Sequence, residues 1–218
     1  MKAPGPTALI DRARTLVVRM HAVERWAYAI DSAVSDRTLH DRIVAAGYSV
    51  VDRDEEAAVA RYEAPSGRED PDALVTLRRP DLGLTLLQAH GATTPDRLGP
   101  LLESTGFAPQ SRLLRQAYDV GTEEARLALT ALAHMVVAWD DDWADLFLLH
   151  LASPDPVVRH DAALATVVAA LSAREREPAE TLLQEAHRHE KFPKLRETFE
   201  EALAAVQALP GGAPSESP

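Results

Sequence analysis

The densest group of ligand-capable side chains is Trp139-Asp140-Asp141-Asp142-Trp143, three consecutive carboxylates between two tryptophans. Carboxylates at this density could hold a divalent cation. A calcium loop would also need a glycine bend and a later bidentate glutamate, and neither follows at the required spacing. The plainer role of these aspartates is at the start of the next helix, where anions offset the helix dipole. Tryptophans at i and i+4 suit packing wedges between helices better than a ligand cage. The eight histidines are scattered. His187 and His189 are two apart, so on a helix they point in different directions and cannot share a metal. His150 and His160 fall on neighbouring predicted helices, with Asp161 beside them. They read as half-exposed structural histidines, with a catalytic pair as the sharper alternative. The sequence holds no glycine-rich phosphate loop, no nucleophile elbow and no zinc-protease motif. No catalytic residue, metal or cofactor is expected.

Composition narrows the partners. Net charge is −11 and pI about 5.2, whereas a nucleic-acid backbone or an anionic membrane demands clustered cations. Cysteine is absent, which removes disulfides, thiolate nucleophiles and cysteine metal sites. No apolar run reaches the ~18–20 residues needed to span a bilayer. The opening MKAPGPTALIDRARTL carries charges where a signal peptide needs its apolar core, so a cytoplasmic protein is expected. Hydrophobic residues make up 46% and aromatics 5%, so the core must be built from Leu, Val and Ala. That composition suits closely packed helices. The excess of Arg over Lys, with abundant Ala, fits a GC-rich bacterial genome and carries no function.

The stretch 122–171 positions the candidates. It reads as three helices in a row, the first capped by Gly121-Thr122-Glu123-Glu124 and running to Ala138. Asp155-Pro156-Val157-Val158-Arg159 opens the third, with Asp as cap and Pro at the first position, where its missing N–H costs nothing. Val158, Ala162, Ala165 and Ala169 share one face. The pattern recurs as Phe192-Pro193-Lys194-Leu195-Arg196, continued by Phe199 and Leu203. Ala125-Arg126, with Leu129 and Leu132, repeats it without the proline. The arginines lie 33 and 37 residues apart, and His150 aligns with His187 at 37. A period of this size means helix pairs that bury their apolar faces by stacking.

Asp155, Pro156, Val158, Arg159, Ala162 and Ala163 resemble the signature that opens a HEAT-type repeat, over about residues 122–209. The resemblance implies an antiparallel helix pair stacked into a solenoid and a habit of binding proteins, with no particular chemistry. Repeat one lacks the proline, and repeat three has Phe199-Glu200 in place of the paired alanines. Arg126, Pro156, Val158, Arg159, Pro193 and Arg196 are expected to be its structural positions. Two enzyme classes on this fold serve as checks. The di-iron hydroxylases use several His-Glu dipeptides, and only His189-Glu190 occurs here. The alkylpurine DNA glycosylases use a Trp/Asp/Arg cluster on a basic face. Trp139, Trp143 and Arg159 are present, but not at spacings that map onto that pattern.

Elsewhere, residues 1–6 read as disordered. Leu9, Ala13, Leu16, Met20, Val23, Ala27, Ile30 and Val34 alternate steps of 4 and 3, predicting a helix about 40 Å long from Thr7. Its heptad spacing also admits self-association as a two-chain coiled coil. Ser35 or Asp36 caps a second helix through Ala46, stopped by Gly47. Residues 48–90 admit two readings. One is a β-meander of YSVVD, AAVARYE, LVTLRR and LTLLQA, with a turn at Pro80-Asp81-Leu82-Gly83. The other is further helices opened by Asp52 or Asp54, Asp70-Pro71 and Asp81, and it is the one adopted. Thr94-Pro95 and Ala108-Pro109 open two more helices. PGGAPSESP, 210–218, reads as a disordered tail.

The expectation is an all-α protein: an N-terminal helical region, 7–120, followed by HEAT-like repeats, 121–209. The α+β alternative applies if 48–90 form a sheet. The expected function is a non-catalytic protein-binding adaptor or scaffold. The alternatives are an enzyme on the HEAT-like fold, such as an alkylpurine DNA glycosylase, and a chaperone-like or immunity-type inhibitor if the sheet forms. The helix 142–152 is apolar nearly all round. Phe147 and Leu148, with an acidic rim of Asp141, Asp145 and Glu180, are therefore expected to form a groove for a basic, amphipathic segment of a protein partner.

Overall fold

The computed structural model describes residues 25–31, 34–56, 58–64, 72–80, 83–91, 98–101, 107–108 and 110–209. The chain divides into two compact units, 1–112 and 113–218.

The first unit overturns the all-α expectation. Its described residues form an antiparallel sheet of six strands in the order β2-β3-β4-β5-β1-β6, giving an α+β protein. The strands are β1 (Arg25–Asp31), β2 (Ser49–Asp54), β3 (Val59–Ala64), β4 (Asp72–Arg79), β5 (Leu84–His90) and β6 (Phe107–Ala108). Residues 48–90, given above to helices, are the meander β2–β5. The long N-terminal helix fails at its far end, where 25–31 pair with β5 from Arg25 opposite His90 to Asp31 opposite Leu84. Residues 1–6, the rest of that helix, the tail 210–218 and most of the segment opened by Thr94-Pro95 lie outside the described residues. Helix α1 (Asp36–Ala45) forms as expected, with the Ser35 hydroxyl accepting from the Thr38 amide at 3.1 Å. Gly47 follows at φ +91. Leu39 and Ile43 of α1 are buried in one cluster with Ile30, Tyr62, Leu74 and Leu87 of the sheet.

Physical reasons for the strands are visible along them. β5 and the first five residues of β4, Asp72 to Thr76, run buried at almost every position, so they show no alternation to distinguish them from buried helix. β3 carries helix-favouring alanines, but it lies between β2 and β4 with a partner on each side, and tertiary pairing overrides propensity. The turn before β5 closes with the Gly83 amide donating to the Pro80 carbonyl at 3.2 Å, Gly83 standing at φ +62.

The second unit contains the helices α3 (Glu123–Ala133), α4 (Asp141–Leu151), α5 (Pro156–Ala173), α6 (Glu177–His189) and α7 (Pro193–Gln207). Helix α2 (Gln110–Ala117) precedes them. The expected extension of α3 to Ala138 does not form; the helix is capped at His134. α5 is the hub, packed against α3, α4, α6 and α7. Its face of Val158, Ala162, Ala165 and Ala169 is buried, and so are Ala163, Thr166, Val167 and Ala170. Small side chains on several sides let neighbouring helices approach closely, so an alanine-rich helix can occupy the centre. Asp155 caps it, its carboxylate accepting from the Val157 amide at 2.8 Å, with Pro156 in the first turn.

Candidate functional site

Helices α4 and α6 and the link Glu190–Phe192 enclose an open groove of about 510 Å³. Leu148, Leu151 and Ala152 come from α4 and its end, Ala186 and His189 from α6, and Phe192 from the link. Leu148 is 41% exposed and Phe192 55%, so both present apolar surface to solvent.

The groove is built on Arg159 and Glu190. Arg159 Nε donates to Glu190 Oε2 at 2.7 Å and Nη2 to Oε1 at 3.1 Å, a two-point contact that fixes the planes of both groups. Its Nη1 donates to the carbonyls of Ser153 at 2.7 Å and Pro154 at 3.0 Å, and so also ties down the turn before α5. Glu190 Oε1 accepts the amides of Lys191 at 2.8 Å and Phe192 at 2.9 Å. The Glu190 side chain is only 2% exposed. Burial pushes its pKa up, but the hydrogen bonds from Arg159, Phe192 and Lys191 outweigh that and hold it below the ordinary carboxylate value. The guanidinium carbon lies 5.6 Å from the centroid of the Phe192 ring, a cation–π contact. Arg159 and Glu190 therefore use their polar atoms on each other and on the backbone. What they leave toward the groove is the ring they hold in place.

The sequence candidates separate. Leu148 lines the groove. Asp141 and Asp145 are exposed on α4, and the i, i+4, i+7 spacing puts them in one row with Leu148. Phe147 is not a surface anchor: it is fully buried, with its ring 5.3 Å from that of Trp139. The reason is helical geometry, since Phe147 falls with Leu146, His150 and Leu151 on the face that meets the core. Glu180 is occupied as an acceptor from Gln184 at 3.1 Å and Gln207 at 2.8 Å. The aspartate run serves the helix: Asp140 caps α4, accepting from the Trp143 amide at 2.9 Å.

Of the repeat positions, Val158 is buried, and Pro156 and Pro193 stand in the first turns of α5 and α7. Arg126 donates to Asp161 at 2.9 Å, reaching forward as Arg159 does. Arg196 is exposed and does not continue the ladder inward. The histidines do not converge. His150 meets the Ala117 carbonyl at 2.7 Å, His160 meets Asp161, His187 meets Glu200, and His189 meets Glu185. Among the described residues no three His, Asp or Glu side chains cluster as a metal site would require. Among those residues, too, no helix is long and apolar enough to cross a membrane.

Phe192 and Glu190 were missed as site residues. Phe192 precedes Pro193 in the first turn of α7, and an aromatic just outside a helix start is a readable signal. In the sequence Glu190 stands out only as half of the His189-Glu190 dipeptide. Compared with known proteins, the chain matches no family model and no curated protein.

Proposed function

We propose that the chain is a non-catalytic adaptor or scaffold that acts in the cytoplasm. Its helical unit docks a basic, amphipathic segment of another protein into the groove between α4 and α6. The observation that carries this reading is the pairing of exposed Leu148 and Phe192 across a groove whose buried ion pair, Arg159 and Glu190, is already satisfied, with Glu185 and Lys191 as its further charged lining residues. An apolar patch held rigid by internal hydrogen bonds supplies anchors with little ordering cost on this chain's side. Asp141 and Asp145, in line with Leu148 along α4, supply the charge that would favour a cationic segment. The repeat reading is supported by Arg126 and Arg159, which reach forward to Asp161 and Glu190 over similar intervals.

The test compares wild type with a Leu148→Asp/Phe192→Ala double variant as bait in extracts of the source cell. Proteins retained by wild type and lost with the variant, at matched folding by circular dichroism, support the groove. Retention of the same set by both baits sinks it. A second reading, a chaperone-like or immunity-type inhibitor, is favoured by one observation, the antiparallel sheet of the first unit. It predicts that the double variant retains its partner.

A further inference from the structure

His150 sits in α4 two residues beyond Leu148, on the opposite, inward face, and is fully buried. Its Nε2 lies 2.7 Å from the carbonyl of Ala117, the last residue of α2, so this nitrogen carries the proton and donates. Nδ1 is then the unprotonated nitrogen, and it is buried with no hydrogen-bond partner. A neutral imidazole tolerates this, since an unsatisfied acceptor costs little compared with an unsatisfied charged donor. Protonated, the same ring would bury a positive charge with an N–H that has nothing to donate to.

We propose that His150 makes the groove acid-sensitive: the charge of a protonated, buried ring favours opening of α4 away from Ala117 and so loosens the groove wall that carries Leu148, Leu151 and Ala152. This rests on the reading of the groove as a docking site. Its chemistry is a proton acting on one buried ring.

Nearby charges do not rescue the protonated form. The charged and titratable groups on the neighbouring helices are Arg159, His160 and Asp161 of α5, Glu177, Glu180, Glu185, His187, Arg188 and His189 of α6, and Arg112 and Arg115 of α2; Asp141, Asp142 and Asp145 lie on α4 itself. None of them acts on the His150 proton. Burial lowers the pKa of the ring, and the Ala117 carbonyl only partly offsets that. The sign follows. A histidine whose folded pKa is depressed is neutral in the fold, and the unfolded or opened chain takes up the proton first. Stability is therefore complete above the ordinary value of 6.5 and falls as pH drops below it. The limit is a tenfold shift toward the open form per pH unit. His160 has the opposite sign. Its hydrogen bond to Asp161 raises its pKa against opposing burial, so its contribution is present below 6.5 and lost as pH rises through the raised value. A whole-protein melting curve thus mixes the two, and a local measurement is required.

The experiment is amide hydrogen exchange of the full chain at pH 7.5, 6.5 and 5.5, corrected for intrinsic rates, in wild type and His150→Gln. The glutamine amide can donate to Ala117 but does not titrate. The expected result is that protection across Asp141–Leu151 falls up to tenfold between pH 6.5 and 5.5 in wild type. It stays flat in His150→Gln, and the β5 segment Leu84–His90 stays flat in both. Equal loss in both proteins, or no loss in wild type, overturns the proposal. Should the glutamine variant fail to fold, NMR titration of the wild-type His150 ring decides. A midpoint at or above 6.5 with α4 still protected overturns it; a ring that stays neutral until α4 opens supports it. No partner is used, so a negative result here leaves the docking reading standing, and a negative result with Leu148→Asp/Phe192→Ala leaves the acid response standing.

Discussion

At the scale of single residues, burial decides what each repeated arginine is worth. Arg159 and Glu190 have side chains 13% and 2% exposed. Removing the guanidinium leaves a carboxylate buried beside two backbone amides, and breaking such a pair costs about 3–5 kcal/mol. Arg126 and Asp161 are 27% and 34% exposed, so water screens them and their pair is worth about 0–1 kcal/mol. Arg196 is exposed, and its loss should stay within about 0.5 kcal/mol. Alanine at 159, 126 and 196 should therefore give urea midpoints falling in that order of severity. Equal midpoints would remove the case for Arg159 as the pin of the groove. Gly91 makes a parallel argument in the sheet unit. A Cβ there would lie 2.0 Å from Asp72 Oδ1 and 2.9 Å from its Cα, at φ +106, while one at Gly47 meets open space at φ +91. Gly47→Ala thus carries only the left-handed strain of about 1–2 kcal/mol. Gly91→Ala must also displace the β4 backbone, and should cost at least about 1 kcal/mol more. Chemical denaturation of the two variants measures the difference, and equal costs would mean that β4 yields freely.

Secondary structure was legible where its signals are local, and illegible where they are not. Asp155-Pro156 and Thr122 mark helix starts through side chains that bond amides two or three residues on, and the structure has those bonds at 2.8 and 3.1 Å. Ser35 and Gly47 bracket α1 for the same reason. The sheet is held by partners distant in sequence, such as Tyr28 opposite Leu87 and Ala60 opposite Thr76. Nothing local announces them. Ala27, Ile30 and Val34 continued a 3–4 spacing, which hid the two-residue alternation of Trp26, Tyr28 and Ile30 in what proves to be β1. In β5 and the first five residues of β4, burial on both faces erased the alternation. The candidate site was half legible for a similar reason. Sequence grouped Leu148 with Asp145 but also with Phe147, which is buried, while the groove's other wall depends on Phe192 reaching solvent above Arg159. That is a contact between residues more than thirty apart.

For the molecule as a whole, the net charge of −11 sets the long-range field any partner meets. A cationic segment is drawn toward such a surface, and its association rate falls as salt screens the attraction over a Debye length of about 8 Å at physiological strength. In the proposed docking, apolar contacts at Leu148 and Phe192 would be indifferent to salt and would govern how long the partner stays. These roles can be separated with one exposed residue. Asp145 lies one turn of α4 before Leu148, and Asp145→Lys reverses a charge without touching the buried face of Leu146, Phe147, His150 and Leu151. Thermal stability should stay within about 0.5 kcal/mol, as for a surface change. Binding of the partner captured by the groove should weaken at low salt mainly through slower association, with dissociation little changed. Raising the salt should bring wild type and variant together. Surface plasmon resonance at two ionic strengths checks this directly. A variant that unfolds would place Asp145 in the core. A variant that binds like wild type at low salt would put the docking surface elsewhere than along α4.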